Sequence, residues 1–497
     1  MHANRSESIA LEGLEMTRAQ LYIGGKWINA TAGKVFESRN PSNGSLIATL
    51  QEATSPDLEL AVAAANGVNK FLRQSTVEVR ASWCEAVANK IEASAELLAD
   101  AMAKEQGKPR NREAIWEVRA AAKGFRDAAG HVRHLNGETL PSSDPDKRVI
   151  TRRSPRGTYV VITPWNFPLN IPTEYLAPAL ATGNSVIWIP APTTSYIAVL
   201  FMQIIESAGI PAGVINLLTG YGHVIGDAAV GHKGVDAIGF TGSTRVGNLI
   251  AQRGAGKPML LELGGNGPAV VFADADLQAA AQAICDGAFL NAGQTCSATE
   301  LVFVERKAQK ELAEKILVIS KRQVLGNSLD EATTIGPLNN EGVAKKMEEH
   351  ISDALKNGAE LLLGGTRAPE LGSELFFNPT LITNVSKDAL VAKEETFGPI
   401  VPLVPFDSFD EVVSMCSAPQ FGLSSAVWTK DAGVAFALAE QMRSGIVNIN
   451  DSSTYWELHI PFGGGSGTMS GIGRVGGIHT LMEMTEIKTI TFNINKF

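Results

Sequence analysis

The chain reads as an α/β fold in which two successive lobes each hold a parallel sheet covered by helices. Three observations predict this. Short runs such as Ser185-Val186-Ile187-Trp188-Ile189 are apolar throughout, the mark of a strand buried on both faces. Segments with apolar residues at helical spacing separate these runs. The strand–helix alternation restarts near Ala269, so a second α/β series follows the first. The 497 residues, 44% hydrophobic and 19% charged, are enough for a large core and, at the usual domain size, about three domains.

In chain order, helical periodicity covers 58–71, 79–106 and 113–132. Prolines and aspartates at 141–145 break the pattern. Residues 149–152 and 157–162 read as a hairpin turning at Ser154-Pro155-Arg156. The first α/β series has strands at 185–189, 213–218 and 237–240, a helix at 195–208 and another starting at Arg245. The second has strands at 269–272, 301–304, 359–363 and 400–406. Its helices are 277–290, capped by Asp274 or Asp276, then 309–324 and 341–357. The tail 486–494 alternates apolar and polar residues, so it needs a sheet to join, in a neighbouring subunit or in its own chain.

Composition excludes several classes. A net charge of -9 leaves no global basic field for nucleic acid. The four cysteines, Cys84, Cys285, Cys296 and Cys416, form no CxxC pair and match no zinc spacing. They are too few for a disulfide scaffold, which points to a reducing compartment. No apolar run reaches the roughly 18 residues of a membrane span. Residues 1–17, with Arg5, Glu7, Glu12 and Glu15, read as a loose leader or short capping helix and not as a secretory signal.

Four segments suggest chemistry. Asn291-Ala292-Gly293-Gln294-Thr295-Cys296 places a cysteine in a small-residue loop, where it is either a nucleophile or a small buried hydrophobe. Leu261-Glu262-Leu263-Gly264-Gly265 sets a glutamate beside paired glycines, a place for a base close to a ligand. Thr163-Pro164-Trp165-Asn166-Phe167-Pro168 pins an Asn between prolines, either as an oxyanion donor or as a residue satisfying its own loop. Thr241-Gly242-Ser243-Thr244-Arg245-Val246-Gly247 lies where a strand hands over to a helix, either as a pyrophosphate cradle or as a tight turn. Further on, Glu394-Glu395-Thr396-Phe397-Gly398-Pro399 holds a ribose acceptor or a surface acidic pair, and Pro461-Phe462-Gly463-Gly464 begins a glycine-rich loop.

Together with Ser470-Gly471-Ile472-Gly473-Arg474, and in this order, these segments resemble the aldehyde dehydrogenase superfamily over 21–497. The resemblance implies a Rossmann-like cofactor domain (18–137 and 160–263) and an α/β catalytic domain (264–480, part of 445–480 packing on the cofactor domain). It also implies a small β oligomerisation extension (138–159 and 481–497). It implies NAD(P)-dependent oxidation of an aldehyde to a carboxylic acid in a cytoplasmic homodimer or homotetramer. Cys296 is then the nucleophile, Asn166 and the Cys296 N–H the oxyanion hole, and Glu262 the base that hydrolyses a thioester. Glu395 holds the nicotinamide ribose and Phe397 packs by the ring. Thr163, Pro164, Trp165, Ile189, Pro192, Thr241, Gly242, Ser243, Thr244, Gly247, Leu263 and Gly264 complete the cofactor cleft. By position the substrate pocket takes Trp116, Phe167, Asn170, Ile171, Glu174, Leu290, Thr295, Trp456, His459 and Phe462. Arg119 or Arg126 is the only offer of a clamp for a carboxylated substrate, and His131 and His134 read as solvated or structural. No metal is expected.

Three departures from the family pattern stand out. Ile189-Pro190-Ala191-Pro192 replaces the usual Lys-Pro-x-Glu that holds the adenosine ribose, which leaves NAD or NADP open. Tyr175 stands where many members carry a lysine. The segment from Gly464 to Ser470 is two residues longer than usual. The alternatives weighed are a CoA-acylating relative, against which Glu262 argues, a cofactor-free cysteine hydrolase and a non-catalytic oligomer. The hydrolase lacks a recognisable His partner.

Overall fold

The computed structural model describes residues 19–417 and 420–496, so the expected leader at 1–17 lies outside the described residues. The first lobe is built on an eight-stranded sheet. Its order is Gly471–Ile472, Met259–Glu262, Ala237–Thr241, Thr158–Thr163, Ser185–Pro190, Ile215–Leu217, Leu21–Ile23 and Lys26–Ile28. The five strands from Met259–Glu262 to Ile215–Leu217 run parallel, and antiparallel strands close both edges.

Alternation along these strands explains their unbroken hydrophobicity. Val160, Ile187, Ile238 and Leu261 pack into one core, while Tyr159, Val161, Val186, Trp188 and Leu260 pack into another on the opposite face. Gly239 leaves room for the Tyr175 ring, whose nearest atom would lie 2.7 Å from an added Cβ. From Thr158–Thr163 the chain works outward to Ser185–Pro190 and Ile215–Leu217, then returns to Ala237–Thr241 on the other side. The reversal leaves a crevice at the carboxyl ends of Thr158–Thr163 and Ala237–Thr241, where open α/β sheets bind ligands.

The second lobe has a seven-stranded sheet: Glu360–Leu363, Thr380–Thr383, Ile400–Phe406, Leu301–Glu305, Pro268–Val271, Ser424–Trp428 and Ile446–Ile449. All its pairs are parallel except the first. The helix Leu277–Phe289 is capped by Asp276, whose carboxylate accepts the Gln278 and Ala279 N–H groups.

Two expectations are corrected. The hairpin at 149–162 does not form. Lys147–Pro155 pairs over nine positions with the tail strand Thr485–Asn493, while Thr158–Thr163 enters the first sheet. Its sequence, TYVVIT, suits a strand covered on both faces, and the alternating 147–155 segment suits a two-sided ribbon. The single helix expected at 79–106 is two, Val77–Ala93 and Ala95–Glu105, divided at Ser94 (φ -107°, ψ 17°). The tail therefore finds its sheet within its own chain, as the edge of a three-stranded layer with Lys147–Pro155 and Thr139–Leu140.

Candidate active site

The two lobes meet at a cavity of about 640 Å³. The first lobe supplies the carboxyl-end crevice, through Pro164, Trp165 and Asn166 after one strand and Thr241, Gly242 and Ser243 after the other. The second lobe supplies loops that precede its strands: Leu263 and Gly264, Cys296, and Glu395 to Phe397. Residues from across the sequence thus converge because one sheet presents its carboxyl ends and the other its amino ends.

Cys296 rides on a strained loop. Asn291 (φ 52°) and Ala292 (φ 55°) are left-handed, as is Gly293 (φ 75°). For residues other than glycine this costs roughly 1–2 kcal/mol each, so the surroundings must hold the loop. They do so by hydrogen bonds. The buried Asn291 donates its N–H to Glu113 and its side-chain amide to the carbonyls of Asn166 (2.9 Å) and Gln294, and accepts from Gln106 Nε2. Gln294 donates to Asn291 O and accepts the Asn339 N–H. Asn166 Nδ2 donates to Gln294 O at 3.0 Å, leaving its second amide hydrogen for the cavity. A Cβ on Gly265 would run into the Cys296 carbonyl, so the glycine pair is needed for close approach.

Electrostatics set the site apart. Glu262 ends the strand Met259–Glu262, is 3% exposed, and has no hydrogen-bond partner on either carboxylate oxygen. Burial, then the charge of Glu174, push its acid well above the usual carboxylate range. Arg474 and the Val475 N–H, itself given to Phe462 O, pull weakly the other way. Burial also pushes the Cys296 thiol well up, followed by the charges of Glu262, Glu395 and Glu174. The Cys296 N–H opposes this by favouring the thiolate. Cys84, Cys285 and Cys416 are buried in the cores, whereas Cys296 lines the cavity.

Opposite, Glu395 accepts the Gly265 N–H at 3.0 Å. Phe397, at φ 64°, meets Trp165 edge-on with ring centroids 5.6 Å apart. The buried Glu300 holds this turn by accepting the N–H groups of Thr396 and Phe397 at 2.7 and 2.6 Å. Ser243 caps the helix Thr244–Arg253. Gly247 faces Leu263, with no room for a Cβ between them, so it serves close packing and does not line the cavity. Thr244 Oγ1 accepts the Gly264 N–H and donates to Met469 O. The Thr163 hydroxyl is taken up by Trp188 Nε1 at 2.9 Å. Ile189, 1% exposed, sits in the neighbouring strand Ser185–Pro190 and Pro192 just beyond its end, both outside the lining of this cavity.

On the substrate side Ile171 lines the cavity, and Trp456 and Phe462 pack with ring centroids 5.0 Å apart. Lys108 Nζ sits 3.9 Å over the Phe167 ring. The Thr295 hydroxyl turns toward Leu290 O, His459 lies 3.5 Å from Glu457, and Trp116 is half-exposed. The Asn170 N–H is given to Glu117. Tyr175 donates its hydroxyl to Phe240 O at 3.1 Å and also meets Thr241 Oγ1, and so is held in the sheet. Arg126 is no clamp: it is bound to Glu92 and Asn89 on the surface.

Several residues of the site escape sequence reading. Arg245 and Lys346 bring two cations to the cavity. Arg245 lies inside the Thr241–Gly247 motif, but Lys346 comes from the distant helix Glu341–Lys356, and nothing local announces it. Beneath the site lies a fully buried ion pair, Lys108–Glu117. Glu117 also accepts the N–H groups of Leu169 and Asn170, which fixes the loop after Asn166. No cluster fit for a metal occurs among the described residues, and no helix among them is long and apolar enough to cross a membrane.

Known proteins resemble the chain over nearly its whole length. Residues 27–490 match the model of the aldehyde dehydrogenase family. The 3-sulfolactaldehyde dehydrogenase of Pseudomonas putida is 37% identical over 484 residues, covering 97% of this chain and 98% of its own. Among solved structures, an E. coli NADP-dependent enzyme superposes with a TM-score of 0.93 at 35% identity, covering 96% and 98% of the two chains. Betaine aldehyde dehydrogenase from Staphylococcus aureus, in complex with NAD+, superposes at 0.93 with 33% identity, covering 96% and 95%.

Proposed function

The chain belongs to the aldehyde dehydrogenase family and oxidises aldehydes with a nicotinamide cofactor; from that premise we propose that Cys296 is its nucleophile and Glu262 its hydrolytic base. The observation that carries the proposal is the convergence of Cys296, Asn166, Glu395, Phe397 and the Thr241-Gly242-Ser243 turn on one cavity, with an unpaired buried Glu262 in electrostatic reach of the thiol.

The cleft fits the cofactor. A helix N-terminus and the cations Arg245 and Lys346 suit a pyrophosphate, the Glu395 carboxylate suits a ribose hydroxyl, and Trp165 and Phe397 wall a flat ring. When bound, the nicotinamide supplies the acceptor for the hydride that the aldehyde carbon gives up.

The protein's own part is a division of charge. The charge of Glu262 raises the proton affinity of the Cys296 thiol, so the site resists carrying two negative charges. With one proton removed, the thiolate attacks the carbonyl carbon, while Asn166 Nδ2 and the Cys296 N–H receive the developing oxyanion. Acylation leaves the sulfur neutral. The Glu262 carboxylate then takes a proton from water as that water attacks the thioester.

The finer reading rests on the same residues. The cofactor domain spans 18–137 and 160–263, and the strand Gly471–Ile472 of the catalytic part docks on its sheet edge. Ile189 and Pro192 offer no charge to the adenosine ribose, so both NAD and NADP serve. The mix of aromatic and polar groups favours aromatic or small hydroxylated aldehydes, and Arg126 is held on the surface by Glu92 and Asn89. Four free thiols favour a reducing, cytoplasmic setting. The exposed edge strand Thr485–Asn493 favours a homodimer or homotetramer.

Absorbance at 340 nm with an aldehyde panel and each cofactor tests the proposal. The Cys296→Ala protein should show no turnover, and Cys84→Ala, Cys285→Ala and Cys416→Ala should keep it. Normal turnover by Cys296→Ala excludes the covalent route.

A further inference from the structure

A second cavity, of about 390 Å³, lies where the first two long helices meet the tail layer, and shares no lining residue with the cleft. We propose that it binds a small polyanion, a phosphate ester or polycarboxylate, that ties these elements together.

Five cations line it, Arg73, Arg80, Arg152, Arg153 and Lys488, against one carboxylate, Glu486. Three features say that an anion belongs among them. Arg152 and Lys488 stand directly opposite each other in the antiparallel pair of Lys147–Pro155 and Thr485–Asn493. Like charges at such a position destabilise a sheet unless a counter-charge lies between them. Arg80 is partly buried, yet its guanidinium donates only to neutral oxygens, the carbonyls of Ala181 and Ser75 and the Ser75 hydroxyl. Burial without a carboxylate lowers its proton affinity, and an anion would restore it. Finally, Thr76 and Val77 place the N-terminus of the 17-residue helix Val77–Ala93 at the cavity wall, so its free N–H groups add a positive end.

Size and layout select the ligand. The volume suits a small molecule and not a polymer. The cations come from four separate segments, a helix end, a helix start and two paired strands, so a ligand with several charges can bridge them where a single charge cannot. Bound there, it links the helices Ser55–Gln74 and Val77–Ala93 to the chain's tail, and should stabilise the fold by mass action.

The test uses the full-length protein with NAD saturating, so that the cleft, which also suits phosphate, is filled. Pyrophosphate, citrate and acetate are titrated at constant ionic strength by calorimetry and thermal melting. We expect pyrophosphate, citrate or both to bind and to raise Tm by about a few degrees, with no effect of acetate. A response to pyrophosphate alone assigns phosphate esters, and one to citrate alone assigns polycarboxylates. Arg152→Gln combined with Lys488→Gln should weaken binding about tenfold or more. Arg73→Gln, at an exposed helix end, is a milder second variant in case the pair fails to fold. The proposal is overturned if neither polyanion binds, or if binding persists unchanged in the variants. It is equally overturned if the double variant changes the oligomer's mass while the wild-type protein ignores both anions, since carboxylates of a neighbouring copy then fill the cavity.

Discussion

At the scale of single residues, the chemistry turns on how one negative charge is shared. Glu262 has its acid raised by burial and by Glu174, and it in turn raises the Cys296 thiol. A raised carboxyl is protonated, and idle as a base, at a pH where an ordinary glutamate is ionised. Turnover limited by hydrolysis should therefore climb with pH above the usual carboxylate range. Glu262→Gln should flatten that climb and slow hydrolysis about 10²–10⁴-fold, with hydride transfer much less affected. A stopped-flow trace would show a burst of reduced cofactor followed by a slow steady rate. Equal slowing of both phases rules out the assigned role. Cofactor choice also lies at this scale. Ile189 and Pro192 leave a ribose diol without polar partners and a 2′-phosphate without a carboxylate to repel it. We expect kcat/KM for NAD and NADP to differ by less than about a hundredfold, roughly 2.7 kcal/mol. Pro192→Glu should shift the preference toward NAD. A larger wild-type preference means that another residue reads the 2′ position.

At the scale of elements, the buried pair Lys108–Glu117 holds the floor of the site. Glu117 faces a buried ammonium and two backbone N–H groups of the loop that ends in the helix Asn170–Thr182. Glu117→Gln removes the ion-pair partner of Lys108 from the core, which should cost about 3–5 kcal/mol. Denaturant unfolding measures this, and a change below about 1 kcal/mol would show that the pair is dispensable. No sequence pattern announces this element. Lys108 and Glu117 flank a π-helical turn, Arg110–Ala114, and lie in no marked motif. Elements whose signal is local were legible: the doubly buried strand Ser185–Pro190, a cap at Asp274 or Asp276, of which Asp276 serves, and the glycine turn after Ala237–Thr241. Where the partner decides, the reading failed. The segments 147–155 and 158–163 are adjacent in sequence and both suit strands, yet one pairs with a tail more than 300 residues away and the other with a parallel neighbour. The site residues showed the same divide. Cys296, Glu262 and Asn166 sit in marked motifs, while Lys346 reaches the cavity only through the docking of its helix.

At the scale of the whole molecule, two sheets facing each other end to end account for both the site and the outer edges. The first presents carboxyl ends and the second amino ends, so the cleft needs both lobes in register. The edges that remain are liabilities. Thr485–Asn493 is a nine-residue edge strand with Ile487 61%, Ile490 39% and Phe492 44% exposed. Long exposed apolar edges recruit another chain unless they are covered. A second copy is the cover proposed above. Deleting the tail tests this poorly, because the deletion also strips Lys147–Pro155 of its own partner. Charge substitution at exposed positions on the strand's two faces is cleaner. Ile487→Glu with Ile490→Glu keeps the backbone ladder to Lys147–Pro155 and places two carboxylates at exposed positions. Light scattering after size exclusion should then report a smaller assembly, while far-ultraviolet circular dichroism stays that of the wild type. An oligomer of unchanged mass would show that the tail edge takes no part in assembly, and would turn attention to another sheet edge, such as Ile446–Ile449 in the second sheet.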